Sequence, residues 1–328
     1  MSNAEYEKEL GLIVEEIESE LIIMGASGIE DRLQEEVPET IERLQRAGIV
    51  VMMITGDKME TAENIGYLAR LIKEDFKVVK LESSIDNLQS KCEELLMELE
   101  KDDEVAVIVE GRQITNMVQE KSEYFKEIYR KILLKARSVI FCRSSPKEKA
   151  EIVRFIKENM QTIVLAIGDG GNDVGMIEEA NIGVGIIGKE GNSAAAVSDF
   201  SFGKFKLLDR LVFHHGRWFY YRLSYFFIFY GWKNIIITFV MFFTNVQNTF
   251  SGIRNFTQFF YVLFNSFFAV AQIVNSGFYE HDINDDLHPS IWKYLPEIYK
   301  ETKAKELFSF KRYTLWSVTA ILTALLSY

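Results

Sequence analysis

The sequence is poor in the residues that build metal clusters, disulfide frameworks and secretion signals. Only two cysteines occur in 328 residues, Cys92 and Cys142, and they stand far apart. Their spacing fits no metal or redox motif, so two reduced thiols in a cytosolic setting are expected. The four histidines, His214, His215, His281 and His288, form no ligand pattern. Met1–Glu20 is acidic where a signal peptide would be basic and then apolar, so no signal is expected. A basic stripe with interleaved aromatics is also missing, and nucleic acid is not an expected partner.

What is present is divided unevenly along the chain. Residues 1–200 hold 24 Lys+Arg against 40 Asp+Glu, whereas residues 201–328 hold 13 against 8. An acidic front half followed by a basic, aromatic back half suggests a cytosolic domain joined to membrane helices. The expected boundary lies at 216, giving domains 1–216 and 217–328.

The front half alternates strand and helix patterns. Val37–Ala47 reads as a helix, with Pro38 in its first turn and Gly48 as its stop. Ile49–Ile54 is a continuous apolar run of the kind found in a buried parallel strand. After Thr55-Gly56-Asp57, the residues Ala62, Ile65, Ala69 and Ile72 recur at helical spacing. Glu82–Asp103 looks like an exposed, acidic helical insertion. Val105–Val109 and Ser138–Cys142 are strand candidates. Ser145-Pro146-Lys147-Glu148 then offers a capping box with proline at the first helical position, for a helix to about residue 159. Thr162–Ile167, a short helix to Ala180 and Ile182–Ile186 complete the series. Repeated strand–loop–helix units predict an α/β fold with a doubly wound parallel sheet.

Two long apolar stretches follow. Tyr225–Val246 is interrupted only by Lys233 and Asn234, and Phe256–Tyr279 carries no charge at all. Both reach the length expected of a membrane span. A third apolar run, Tyr313–Tyr328, ends with the chain. Lys293, Lys300, Lys303, Lys305, Lys311 and Arg312 populate the segment before it. The positive-inside bias therefore places that segment and the acidic domain on the same, cytosolic, side of a multi-pass membrane protein.

The chemistry-bearing residues gather at expected strand ends. Thr55-Gly56-Asp57 ends one strand, Arg143 another, and Gly168-Asp169-Gly170-Gly171-Asn172-Asp173 a third. Lys149 falls in the first turn of the capped helix. Ligands bind beyond the carboxyl ends of an open parallel sheet, so these loops can share one crevice. Its hydroxyl, two basic groups and three carboxylates suit phosphoryl transfer with Mg²⁺, which takes few protein oxygens while cations neutralise the moving phosphoryl group.

The segments Thr55-Gly56-Asp57-Lys58-Met59-Glu60-Thr61 and Gly168-Asp169-Gly170-Gly171-Asn172-Asp173 resemble the phosphorylation domain of P-type ATPases, a haloacid-dehalogenase-like fold. Gly28-Ile29-Glu30-Asp31-Arg32-Leu33-Gln34, Cys142-Arg143-Ser144-Ser145-Pro146 and His215-Gly216-Arg217-Trp218 are similar to the phospholipid-flippase branch. The resemblance implies an ATP-driven phospholipid translocase with a Rossmann-like sheet, followed by the fifth, sixth and part of the seventh membrane helices. It makes Asp169, supported by Asp173, the Mg²⁺ carboxylate. Thr55, Gly56, Asp57, Arg143, Lys149, Asn172 and Asp173 would contact nucleotide or phosphate, and Asp31 would lie near the nucleotide. The family's nucleophile sits in Asp-Lys-Thr-Gly-Thr, and that motif is nowhere in this sequence. A carboxy-terminal fragment starting after the nucleotide-binding domain is expected, with the first strand of the sheet absent and an edge exposed. Its partners would be membrane phospholipid and the missing amino-terminal part of the pump. The sequence leaves open whether a helper membrane subunit takes part.

The spans bear on the substrate. A bare cation would call for carboxylates within them, and the first two have none. An ionisable residue at the depth of Lys233 is costly and so a functional candidate, and the resemblance to the flippase branch implies that Lys233 and Asn234 lie in a lipid pathway. Asn234, Thr238, Asn245 and Asn265 are candidate acceptors for Lys233. Where the branch usually has Thr and Pro, this chain has Ala269 and Gln272. Two other classes stay open, a catalytically dead membrane regulator or scaffold and a membrane-anchored phosphatase.

Overall fold

The computed structural model describes residues 13, 24–25, 32–82, 88–101, 104–113, 123–188, 191–252, 256–279, 293–304 and 307–327. The chain divides into a short unit, Met1–Leu33, and a large one, Gln34–Tyr328, which holds every element named below.

Helix α1 (Val37–Arg46) has Pro38 in its first turn and buries Val37, Thr40, Ile41 and Leu44 on one face. It stops at Gly48, whose φ of 78° a side chain would resist. Strand β1 (Met52–Ile54), helix α2 (Met59–Leu68) and strand β2 (Lys77–Leu81) follow. Next come α3 (Leu88–Leu99), β3 (Val105–Glu110), α4 (Glu123–Lys135) and β4 (Ser138–Cys142). The strands form a parallel sheet in the order β1-β4-β3-β2. Met52 pairs with Val139 and Ile54 with Phe141.

β3 and β4 are buried almost throughout, as continuous apolar runs require when both faces are covered. Val105, Val107, Val109, Val139 and Phe141 face α3, α4 and the next helix, α5 (Pro146–Met160). Ala106, Ile108, Ile140 and Cys142 face Met59 and Ala62 of α2 and Ile72 beyond it. The alternation is the period of two expected of a strand. Phe141 is fully buried, so truncation to Ala should cost about 3–5 kcal/mol.

After α5 come β5 (Leu165–Gly168), a 3₁₀ turn at Gly171–Asp173, and α6 (Val174–Glu179). Then follow β6 (Ile182–Ile186), α7 (Ser193–Val197) and β7 (Phe200–Phe202). These strands form a second parallel sheet, β5-β6-β7. The single sheet expected from the sequence is therefore two. Among the described residues, β1 pairs with β4 alone and β5 with β6 alone. Yet β1 and β5 are neighbours on both faces. Ile54 packs against the cluster of Ala166, and Val51 joins Leu165 and Ile167 in another. The edges of the two half-sheets therefore lie side by side.

The expected exposed insertion at Glu82–Asp103 is corrected as well. α3 buries Cys92, Leu95 and Leu99, which recur at helical spacing and reach the core. Residues 83–87 and 102–103 lie outside the described residues.

Beyond β7 a continuous helix, α8, runs 41 residues from Leu207 to Gln247. Its segment Arg210–Gly216 has the wider π-helical turn, and the expected boundary at 216 falls inside this helix. α9 (Gln258–Tyr279) has a π segment at Phe264–Ala269. Among the described residues, α8 and α9 are the two helices long and apolar enough to cross a membrane. α10 (Leu295–Ala304) returns to α1 and the base of α8. There Leu295 is fully buried, Tyr299 meets Phe213 edge-on at 5.5 Å, and Glu297 pairs with Arg46. The expected third apolar run forms α11 (Phe310–Ser327) along α8. A Cβ on Gly231 would come within 2.8 Å of the Tyr313 ring, so glycine permits this approach.

Candidate functional site

Three loops at strand carboxyl ends carry the site. Thr55 N–H donates to the Phe141 carbonyl at 2.8 Å, Ser144 N–H to the Thr55 carbonyl at 3.0 Å, and Arg143 N–H to the Asp57 carbonyl at 2.8 Å. These bonds join the Thr55–Asp57 loop to the Arg143–Ser144 loop. The Thr55 hydroxyl donates to Asp57 Oδ2 at 2.7 Å and accepts the Asp57 N–H at 3.2 Å. Arg143 holds a left-handed backbone, φ 49°, which is strained for a residue with a side chain. Its guanidinium lies 3.6 Å from Glu110 at the end of β3, a neighbour the sequence reading missed.

The capping box forms as expected. Ser145 Oγ accepts the Glu148 N–H at 3.3 Å, and the Ser145 N–H donates to Glu148 Oε2 at 2.7 Å. It fixes the first turn of α5 just past β4, and so aims Lys149. Lys149 Nζ donates to Asp173 Oδ1 at 2.8 Å, with both side chains only 12% exposed. Asp173 Oδ2 accepts the Asp169 N–H at 3.3 Å. Because Lys149 follows β4 and Asp173 follows β5, this contact puts the carboxyl ends of both sheets on one side. Gly168 makes room for it, since a Cβ there would sit 2.4 Å from Asp173 Cβ. Removing one member of such a half-buried pair leaves the other charge uncompensated.

Asp169 and Asn172 are exposed at this rim, as are Gly56 and Asp57. Among the described residues no group of three or more His, Cys, Asp or Glu could hold a metal. Asp169 with Asp173 still fits Mg²⁺, which keeps several waters and is held by one or two carboxylates together with substrate phosphate. The structure therefore brings together Thr55 with Asp57 and Arg143, and Lys149 with Asp169 and Asp173. No hydrogen bond links the two groups. Asp31, His281 and His288 lie outside the described residues.

Cys92 and Cys142 are both buried and form no disulfide. Burial pushes the Cys92 thiol up to about 12 and the Cys142 thiol to about 11, which keeps both protonated and inert. His214 is buried against the rings of His215 and Trp218.

In α8, Lys233 is 6% exposed. Its Nζ donates to Asn265 Oδ1 at 2.8 Å and sits 4.9 Å from the centre of the Tyr230 ring. Of the four candidate acceptors, the structure selects Asn265, which lies in the π segment of α9. The adjacent Asn234 accepts, through its carbonyl, the Thr238 hydroxyl at 2.8 Å.

Residues 195–328 match the family described as phospholipid-translocating P-type ATPase C-terminal. Phospholipid-transporting ATPase 10 of Arabidopsis thaliana is 34% identical over 337 residues, covering 95% of this chain and 28% of that protein. Over most of its length the chain is similar to phospholipid-transporting P-type ATPases. Phospholipid-transporting ATPase 6 of the same plant is 34% identical over 95% of the chain, and yeast phospholipid-transporting ATPase DNF1 is 34% identical over 91%. The chain spans 28%, 26% and 20% of the length of these three relatives. Among its described residues the chain combines parallel α/β sheets with two helices long and apolar enough to cross a membrane.

Proposed function

We propose that this chain is the carboxy-terminal part of an ATP-driven, Mg²⁺-dependent pump that moves phospholipid between bilayer leaflets. The observation that carries the reading is the Lys149–Asp173 contact, 2.8 Å long, beside the two half-sheet edges that are unpaired among the described residues. Thr55, Gly56, Asp57, Arg143, Asn172 and Asp173 would hold nucleotide or phosphate, with Lys149 balancing charge on the transferred group. Asp169, with Asp173 behind it, would hold Mg²⁺, whose chemistry when bound is to neutralise phosphoryl oxygens. The attacking carboxylate would arrive on a strand between β1 and β5, supplied by an amino-terminal part of the pump. This α/β portion, to residue 216, would be cytosolic, with α8, α9 and α11 entering the membrane. Lys233, with Asn234 beside it, would line the lipid pathway, because a cation in mid-span suits a passing lipid phosphate.

Labelled ATP followed by acid quench tests the chemistry. This chain alone should take no hydroxylamine-sensitive label. Co-expression with the amino-terminal part should place a label on that part, and Asp169→Asn should abolish it. A label on this chain alone refutes the reading, as does full labelling with Asp169→Asn.

A further inference from the structure

At the end of the α8–α9 pair nearest the α/β domain, the helices leave a crevice of about 450 Å³. Trp218 and Arg222 line it from α8, and Val274, Gly277 and Phe278 from α9. The Arg222 guanidinium stacks 3.3 Å from the centre of the Trp218 ring. A stacked guanidinium keeps its N–H donors at the edges of its plane, where they can meet a phosphate. Arg222 Nε is buried and has no hydrogen-bond partner. Such a donor is costly to leave unmet, so the geometry is short of an acceptor. Among the described residues that line it, none is acidic. A Cβ on Gly277 would touch nothing within 4 Å, so there is room beside the arginine.

The level in the membrane suggests what fills that room. Arg222 stands just before the apolar stretch that begins at Tyr225. It lies roughly 16 Å from Lys233 along α8, at about 1.5 Å per residue. That is headgroup depth, where tryptophan is favoured and anionic lipid attracts basic side chains.

We propose that this crevice holds an anionic phospholipid of the leaflet beside the α/β domain. Its phosphate lies on Arg222, and an acyl chain lies against Trp218, Val274 and Phe278. The site is separate from Lys233 and needs only that α8 and α9 cross a bilayer, so it stands whether or not the catalytic reading does.

The test reconstitutes the full chain in phosphatidylcholine vesicles containing phosphatidic acid brominated near the headgroup. Quenching of Trp218 is read as the difference from Trp218→Phe, and lipid adducts are counted independently by native mass spectrometry. Brominated phosphatidic acid should quench and be retained more than brominated phosphatidylcholine. Arg222→Gln should lower that preference about fivefold, the worth of one basic side chain at an anionic surface. Arg222→Lys should keep most of it. Gly277→Leu, which improves helix propensity while filling the crevice, should reduce lipid retention without loss of helicity. Equal quenching by the two lipids overturns the proposal, as does an undiminished preference in Arg222→Gln or Gly277→Leu. Displacement by inorganic phosphate alone would mean a site for free phosphate. Absence of both quenching and adducts would mean that another segment or a second copy closes the crevice. Either result also overturns it.

Discussion

Lys233 allows the structural and transport roles of a buried membrane cation to be separated by magnitude. A lysine at the centre of a span costs about 2.5–3.5 kcal/mol on insertion scales. Two contacts oppose that cost. The hydrogen bond to Asn265, at 2.8 Å, should contribute about 0.6–1.7 kcal/mol, the range measured between membrane helices. The Tyr230 ring, 4.9 Å away, adds about 0.5–2 kcal/mol. The sum leaves Lys233 between about 1 kcal/mol favourable and about 2.4 kcal/mol unfavourable.

Lys233→Met alone leaves the Asn265 oxygen without its donor, so its net effect should be small. Lys233→Met with Asn265→Leu removes the charge and the orphan together. That double variant should be as stable as wild type or about 1–2 kcal/mol more so. A double-mutant cycle, followed by loss of helicity in denaturing detergent, should return a coupling of about 0.6–1.7 kcal/mol. In the assembled pump both variants should raise the lipid concentration needed for half-maximal ATPase stimulation. Destabilisation of the double variant by more than ~2 kcal/mol would make Lys233 a structural pin and remove the reason to assign it to transport.

Gly168→Ala should destabilise the α/β domain by about 1–3 kcal/mol, because the new Cβ overlaps Asp173 and must push it from Lys149. An unchanged urea midpoint for the full chain would contradict this. Asp209 is buried beside Arg43, and burial outweighs the guanidinium, raising its carboxyl from 3.8 to about 6. The folded state then holds the proton more tightly than the unfolded one. The stabilisation is complete below pH 3.8 and is lost as pH rises to about 6. Asp209→Asn should flatten stability over that window, and an unaltered pH profile would exclude the assignment.

Local signals were legible in the sequence. Ser138–Cys142 and Ile182–Ile186 form strands with the expected limits, because apolar runs between turn residues need no distant information. The Ser145–Glu148 box forms both of its bonds for the same reason. Long-range facts were not legible. Lys77–Leu81 carries two lysines and reads weakly as a strand, yet β3 pairs with it over its whole length. Glu110 and Asn265 reach the sites from 33 and 32 residues away in the chain. Nothing local to Arg143 names Glu110, and for Lys233 the sequence offered Asn265 only as one of four candidate acceptors. The π segments also escape a reading based on a 3.6-residue period.

The split sheet has a definite cause in the topology. The chain rises along β4, returns through the 15 residues of α5, and rises again along β5. Val153 of α5 packs with Ala166 of β5, while Ile152, Phe155 and Ile156 pack on β3 and β4. One helix therefore packs on both half-sheets, and among the described residues no hydrogen bond joins β1 to β5. In the proposed pump a single parallel strand would enter between these two edges. Under the proposed function, the residue at the carboxyl end of that strand lies between the Thr55 and Asp169 loops. The gap between the two half-sheets would then set where the attacking carboxylate stands.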